Sequence, residues 1–201
     1  MTSSRSVSMD KQPRLKWIAA LLCMTAFFLI SYYIDQLQPL DEIMKILSHM
    51  AGPSALIIGS LLLAIMIRQR QKWLSIFLNL SISVTLNLGL KQMYARPRPA
   101  IITALVAESG FSFPSGHSMG SAAFYGFIIY LIAQSEMKPA MKRAVSALII
   151  TLIGLIGFSR VYLGVHYLSD VIGGFLVSSV YLVVFTAFVN AYIDHAETPS
   201  E

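Results

Sequence analysis

Six long apolar stretches separated by short polar segments most strongly limit how this chain can fold. They cover residues 17–34, 51–67, 73–90, 118–133, 144–158 and 171–193. Each is long enough to cross, or nearly cross, a hydrocarbon core of about 30 Å at 1.5 Å per helical residue. With 56% hydrophobic and 12% charged residues, the 201-residue chain is too apolar for one soluble core. The sequence therefore predicts an all-α integral membrane protein with six transmembrane helices.

The connecting segments are short, so we expect a single membrane domain over residues 17–193. Residues 1–16 and 194–201 are then the N-terminal and C-terminal tails. The first apolar stretch follows basic residues, as the apolar part of a signal peptide does. Its end, Ser31 to Ile34, is bulky and offers no small-residue cleavage site. We therefore interpret it as an uncleaved first helix.

Between the first two stretches, apolar residues recur at helical spacing with polar residues at most of the other positions. The apolar residues are Leu37, Leu40, Met44 and Leu47. This pattern is typical of an interfacial amphipathic helix, here on the outer surface. Such a helix either only lies in the headgroup layer or covers the entrance for a substrate.

The basic residues predict the orientation. Ten of the fifteen fall in segments that are cytoplasmic if the N-terminus is inside, which the positive-inside rule favours. The other five are Lys45, Lys91, Arg96, Arg98 and Arg160. Short basic clusters between apolar runs explain the net charge of +5 without a nucleic-acid partner. We expect a multi-pass plasma-membrane protein with cytoplasmic tails.

Three short segments carry side chains suited to phosphate chemistry, and the predicted topology places all three on the extracytoplasmic side. They are residues 91–99 (KQMYARPRP), 114–117 (PSGH) and 159–170 (SRVYLGVHYLSD). These segments resemble the three signature motifs of the type-2 phosphatidic acid phosphatase superfamily, which includes membrane lipid phosphatases and soluble vanadium haloperoxidases. The short chain looks most like bacterial members of the phosphatidylglycerophosphatase B type, some of which also dephosphorylate undecaprenyl pyrophosphate.

The residues themselves favour a mechanism that agrees with this resemblance. His166 and Asp170 are four residues apart and share a helix face, so the carboxylate can bind one ring nitrogen and leave the other free. His166 is then the predicted nucleophile, and Asp170 holds its tautomer. Three cations are predicted to neutralise the phosphoryl oxygens. They are Lys91, Arg98 and Arg160.

The second motif is predicted to begin a helix. The backbone N–H groups of Ser115 and Gly116, with the Ser115 hydroxyl, would hold another phosphate oxygen. His117, the next residue, is placed to protonate the leaving oxygen and then to serve as base for the attacking water.

No metal or other cofactor is expected. A catalytic magnesium needs clustered carboxylates, but Asp170 is assigned to His166 and Glu108 stands alone in its loop. Cys23 has no second cysteine with which to form an intramolecular disulfide or a cysteine-based metal site.

The expected partners are the bilayer and a lipid phosphate or pyrophosphate. Phosphatidylglycerol phosphate, phosphatidic acid, diacylglycerol pyrophosphate and undecaprenyl pyrophosphate all fit, because the motifs bind phosphate and not the tail. Two alternatives are a lipid phosphotransferase and a lipid-phosphate binder or transporter without chemistry.

Other polar and small residues favour structural interpretations. Arg96 and Lys45 are interpreted as membrane-edge anchors. Asn79 and Asn87, inside a span, are interpreted as interhelical hydrogen-bond partners. The glycines predicted to permit close helix packing are Gly154, Gly157, Gly173 and Gly174.

Overall fold

A computed structural model of the protein describes residues 24–25, 38–67, 70–100 and 104–197, apart from the side chains of residues 38, 70–73 and 192–197. These residues form α-helices and connecting loops, with no strand among them. The helices are α1 (Gln38–His49), α2 (Pro53–Met66), α3 (Arg70–Tyr94), α4 (Gly116–Ala133), α5 (Pro139–Tyr162) and α6 (Leu168–Glu197). Asp41–Glu201 forms one compact unit, and every side-chain contact described below lies within it.

Among the described residues, four helices are each long and apolar enough to cross a membrane. They are α3, α4, α5 and α6. Residues 139–162 and 168–191 are the most apolar of these segments, with mean hydropathies of 2.0 and 2.2. Large apolar side chains on their outer surfaces, such as Leu148 and Phe188, are 71% exposed, which suits contact with lipid tails.

The second predicted span, residues 51–67, is a shorter helix than the sequence suggests. α2 has 14 residues and is therefore about 21 Å long. It is long enough only together with the preceding helix, from which it is bent by 53° at the break around Gly52 and Pro53. Within the part of the chain that the structure describes, there are thus four spans, or five if this bent pair is one span. The first predicted span, 17–34, lies outside the described residues except for Met24 and Thr25, which are helical.

The predicted amphipathic helix before α2 is present as α1. Its inner face buries Met44 and Ser48, while Ile43 and Ile46 are more than half exposed. Tyr162 at the end of α5 donates a hydrogen bond to Asp41 Oδ1 at 2.8 Å, so α1 packs against that end of α5. Its position in the headgroup layer stays a prediction.

Helix α4 is the central element, in contact with α2, α3, α5 and α6. The apolar core lies around its middle, where Phe127 packs edge-on against Phe185 of α6 with ring centroids 5.6 Å apart. The other buried members of this core are Leu56, Ile76, Phe124 and Val189. The middle of α4 is thereby fixed in the bundle, while its N-terminal end carries polar residues of the motifs.

The interhelical role predicted for the two asparagines is confirmed. Asn79 Nδ2 donates to the Ala123 carbonyl of α4 at 2.9 Å, and Asn87 Nδ2 donates to the Pro114 carbonyl at 3.2 Å. The second bond joins α3 to the loop that begins α4. It therefore fixes the start of the first motif, at the end of α3, relative to the second.

Three of the four glycines lie where a side chain would collide with a neighbour. A Cβ atom at Gly157 would lie 2.5 Å from the Phe175 ring, and one at Gly173 would lie 2.5 Å from the Phe113 ring. One at Gly174 would lie 3.1 Å from the Ser115 carbonyl oxygen. At Gly154 no atom of the described residues lies within 4 Å of such a Cβ atom, so its packing role stays a prediction.

Candidate active site

The close approach of α6 to the loop before α4 joins the second and third motifs. Because Gly173 and Gly174 have no side chains, the loop can pack directly on the first turns of α6. The backbone N–H of Ser115 then donates to the Asp170 carbonyl at 3.0 Å. That N–H was predicted to face a phosphate, and this contact corrects the prediction because the group is already engaged.

Ser115 is also the N-cap of α4. Its Oγ accepts a hydrogen bond from the Ser118 N–H at 3.3 Å, which fixes the start of the helix. The positive end of the α4 dipole is thus directed towards the loop that carries the motifs. The contributions of Ser115 and Gly116 to phosphate binding stay predictions, and for Ser115 only the hydroxyl can now make that contact.

A tight turn after α5 places the predicted nucleophile. The N–H groups of Val165 and His166 both donate to the Arg160 carbonyl at 3.3 Å. Gly164, with φ of +73°, supplies the left-handed conformation that this turn requires. Arg160 and His166 are therefore held close together on one short piece of backbone, and they are only 2% and 3% exposed.

The two ring nitrogens of His166 have different neighbours. Nδ1 lies 3.4 Å from Asp170 Oδ2, across the four-residue spacing that the sequence predicts. Nε2 lies 3.4 Å from Arg98 Nη1. One nitrogen therefore faces a carboxylate and the other faces the guanidinium of Arg98.

The environment of His166 keeps the ring neutral. Burial, and then the positive charges of Arg98, Arg160 and Lys91, lower its pKa to about 3. The imidazole therefore carries no positive charge at neutral pH, and one ring nitrogen keeps the free lone pair that a nucleophile needs.

Asp170 is held by more groups than the sequence indicated. It is fully buried, and its Oδ2 accepts from the Ser112 hydroxyl and, at 2.9 Å, from the Tyr167 N–H. Arg96 Nη1 lies 2.8 Å from its Oδ1. A carboxylate with this many donors is fixed in orientation, and it can in turn orient His166.

Arg96 is therefore not the membrane anchor that the sequence suggested. Besides its ion pair with Asp170, it donates to Ser169 Oγ at 2.7 Å, and its guanidinium lies 4.2 Å from the centre of the Tyr167 ring. Its place within the first motif, two residues before Arg98, was the available signal. Lys45 pairs with Glu42 of the same helix at 2.7 Å, and its role as a membrane-edge anchor stays a prediction.

Arg98 is held mainly by backbone carbonyls. It donates to Gly110 at 3.1 Å, to Ser109 at 2.8 Å and to Val165 at 3.0 Å. Lys91, at the end of α3, donates to the Phe111 carbonyl. The loop before α4 thus links the two cations of the first motif to the turn that carries His166.

Glu108 is the main difference from the sequence analysis, which treated it as isolated. Its Oε1 accepts from Arg160 Nη2, and its Oε2 lies 3.7 Å from Arg98 Nη2. Burial alone would raise the pKa of Glu108, but the charge of Arg160 and other nearby positive charges outweigh it, and the pKa is lowered. A single carboxylate of this type has no spacing signal that could have placed it between two distant arginines.

His117 lies at the boundary between this charged cluster and an apolar cavity. It is close enough to Arg160, Glu108 and Arg98 to interact with them electrostatically. It also lines a cavity of about 230 Å³. The rest of the lining is mostly apolar and comes from residues before and within α2, from α3 and from the start of α4, including Pro53, Leu56, Leu80, Val84, Leu88 and Met119.

Comparison with known proteins agrees with this geometry. Residues 72–194 match the model of the PAP2 superfamily. The chain belongs to the PAP2 superfamily. Over 144 residues it is 40% identical to phosphatidylglycerophosphatase B of Bacillus subtilis (strain 168), covering 68% of each chain. The resemblance expected from the motifs is thereby confirmed.

Two solved structures have the same fold. The crystal structure of a transmembrane PAP2-type phosphatidylglycerolphosphate phosphatase from Bacillus subtilis matches with a TM-score of 0.68 and 31% identity, over 82% of this chain and 81% of that one. The crystal structure of Aquifex aeolicus LpxE matches with a TM-score of 0.59 over 75% of this chain and 87% of that one, and its 24% identity supports the fold alone. Together with its apolar helices, this membership makes the chain a multi-pass membrane protein of the lipid phosphatase class.

Proposed function

We propose that this protein hydrolyses the phosphate monoester or pyrophosphate headgroup of a membrane lipid through a phosphohistidine formed on His166. The observation that carries the proposal is that the two ring nitrogens of His166 have different neighbours. Nδ1 faces Asp170 and Nε2 faces Arg98, both at 3.4 Å. With Nδ1 protonated, the Nε2 lone pair points to the place where a cation would hold a phosphoryl group.

In the first step, Nε2 forms a bond to phosphorus while the bond from phosphorus to the leaving oxygen breaks. His117 gives its proton to that oxygen, and Asp170 stabilises the imidazolium that develops on His166. Three cations neutralise the phosphoryl oxygens, and each such contact is worth on the order of 10²- to 10³-fold in rate. They are Lys91, Arg98 and Arg160.

In the second step, water attacks the phosphohistidine. His117 takes a proton from the water, the bond between nitrogen and phosphorus breaks, and inorganic phosphate leaves. The products are the dephosphorylated lipid and phosphate, and His166 returns to its neutral state.

The apolar cavity supports a lipid as the leaving group. His117 lines this cavity, and in our mechanism His117 protonates the leaving oxygen. The leaving group must therefore lie on the His117 side of the phosphorus, where an acyl or prenyl tail would find an apolar surface. Phosphatidylglycerol phosphate is our first candidate because of the relative named above, and undecaprenyl pyrophosphate, phosphatidic acid and diacylglycerol pyrophosphate follow.

We also propose that hydrolysis needs no metal ion. Both carboxylates of the site are engaged by arginines, Asp170 with Arg96 and Glu108 with Arg160. The cations provide the positive charge that a metal would otherwise supply.

The sidedness of the site is a further part of the proposal. The distribution of basic residues supports an active site on the extracytoplasmic face and cytoplasmic tails. Right-side-out vesicles should then hydrolyse an added short-chain substrate without being opened, whereas activity only after lysis would place the site inside.

The test is phosphate release in detergent with excess chelator, using a panel of lipid monoesters and pyrophosphates and comparing wild type with His166→Ala. We expect release by wild type and loss in the variant, and the panel ranks the tails. Activity that disappears in chelator would contradict the metal-independent mechanism. Retained lipid binding without phosphate release would indicate a binder or transporter, and phosphate found on a second lipid would indicate a transferase.

A further inference from the structure

Glu108 lies between two arginines that we propose to bind phosphate, where a phosphate-binding site would not be expected to have an anion of its own. Its carboxylate binds Arg160 Nη2 through one oxygen and lies 3.7 Å from Arg98 Nη2 through the other. Both arginines belong to the set that we propose for phosphate. An anion of the protein itself is thus already located between two phosphate-binding cations.

Most of the other donors of the two arginines are engaged by the protein. Arg98 donates to the carbonyls of Gly110, Ser109 and Val165 through Nε, Nη2 and Nη1, and its Nη1 also lies 3.4 Å from His166 Nε2. Arg160 donates to Ser48 Oγ through Nη1, while its Nε has no partner among the described residues. A phosphoryl group on His166 Nε2 would meet Arg98 at Nη1, and to bind Arg160 through Nη2 it would have to displace Glu108. Carboxylate and phosphate oxygens make equivalent bonds to a guanidinium, so one can replace the other.

Glu108 can leave this position more easily than Asp170 could leave its own. Its side chain is 27% exposed, whereas that of Asp170 is fully buried. It also lies in the loop between α3 and α4, which is not constrained by helical hydrogen bonds. The charges around it keep it ionised, since its pKa is lowered.

We propose that Glu108 is a resident anion of the phosphate site, which the phosphoryl group of the substrate displaces from Arg98 and Arg160. It neutralises part of the cationic cluster when no substrate is bound, and it competes with substrate and with product phosphate for the same donors. Phosphate therefore binds more weakly than the three cations alone would allow, and release of the product is faster. This inference rests on the proposed function for its meaning, but its test does not need hydrolysis.

The experiment is binding of inorganic phosphate to the purified full chain in detergent, measured by calorimetry for wild type, Glu108→Gln and Glu108→Ala. Both substitutions remove the charge, and Gln can still accept a hydrogen bond from Arg160. We expect the Kd for phosphate to fall by about tenfold in both variants, since one carboxylate no longer competes. The matched control is Glu136→Gln, the same charge change beyond the far end of α4, which should leave the Kd within about twofold of wild type.

Thermal unfolding of each variant shows which of them is folded, and one folded variant suffices for the test. An unchanged or raised Kd in a folded Glu108 variant would overturn the proposal, because Glu108 would then only orient Arg160. Tighter phosphate binding together with no hydrolysis of any lipid by wild type would support the resident anion and contradict the proposed function instead.

Discussion

The two ends of helix α4 hold their neighbours by different kinds of polar contact. At its C-terminal end, Tyr130 and Gln134 donate to Asn190 Oδ1 at 2.5 and 2.9 Å, and Lys142 donates to the Ala133 carbonyl. At its N-terminal end, buried arginine, histidine and carboxylate groups meet within one cluster.

Hydrogen bonds between neutral side chains are enough to join helices, as those of Tyr130 and Gln134 with Asn190 show. Burying an ion costs several kcal/mol before any pairing is counted. Joining helices through a buried ionic cluster is therefore less favourable than joining them through neutral hydrogen bonds. Arg160 is 2% exposed and Asp170 is fully buried. We propose that the charges at the N-terminal end are kept for chemistry, and the predictions below test that distinction.

The largest effect is expected from Arg160→Met. Loss of this guanidinium removes one of the three positive side chains that we propose to bind the phosphoryl oxygens. It should lower kcat/KM by about 10²- to 10³-fold or more. Lys142→Met, the same charge change at the opposite end of α4, should leave phosphate release within about twofold of wild type. Near-normal activity in Arg160→Met would contradict the role of the cluster.

A smaller loss is expected from Arg96→Met, because Arg96 acts through Asp170 and not on the phosphate. We expect kcat to fall by about 10- to 100-fold with little change in KM, since supporting residues behind a reacting group have effects of that size. Arg96→Lys should restore part of kcat by replacing the charge beside Asp170. If Arg96 were only an anchor, the two variants would differ in membrane insertion and not in kcat.

The charge state of His166 can be tested without changing the residues around it. Its pKa of about 3 lies below the ordinary value, so the ring is neutral above that pH and gains a proton only in strong acid. In a histidine-labelled sample without substrate, the resonance that is lost in His166→Ala should keep its position from pH 5 to pH 8. Titration of that resonance with a midpoint near 6.5 would show that the cationic cluster does not act on the ring.

The smallest effect on activity is expected from Asn79→Ala, in the middle of the bundle. Asn79 is buried and joins α3 to α4, so its loss should cost about 0.6 to 1.7 kcal/mol of unfolding free energy. Activity of the folded protein should stay within about twofold of wild type. A large fall in kcat would show that the interhelical contacts and the site are not separable.

Much of the candidate site could be predicted from sequence because its residues lie at fixed short spacings. His166 and Asp170 are four residues apart and their side chains meet at 3.4 Å, although His166 lies in the turn before α6 and not, as predicted, on one helix face with Asp170. The 114–117 segment begins a helix as expected. The prediction of the membrane spans was less accurate. Helix α2 begins after a bend at Gly52 and Pro53, and the length of an apolar stretch does not show where a chain bends.

The contacts missed from sequence are those between residues far apart in the chain. Arg96 reaches Asp170 across 74 positions, and Glu108 reaches Arg160 across 52. Single charged residues at such separations carry no periodic signal, so only the packing of the loop on α5 and α6 shows which charges meet. The same limit applies to the backbone N–H of Ser115, whose contact with the Asp170 carbonyl has no sequence signal, while phosphate binding by the Ser115 hydroxyl stays a prediction.

The central claim is that the phosphoryl group is transferred to His166, and trapping the phosphoenzyme tests it most directly. Wild type and His166→Ala would be mixed with a lipid monoester labelled with ³²P, stopped within one turnover by alkali, which preserves phosphohistidine, and digested. Label on the peptide that contains residue 166 in wild type, and none in the variant, is the predicted result. Phosphate release by wild type with no labelled peptide at any time, or with label on another residue, would contradict it.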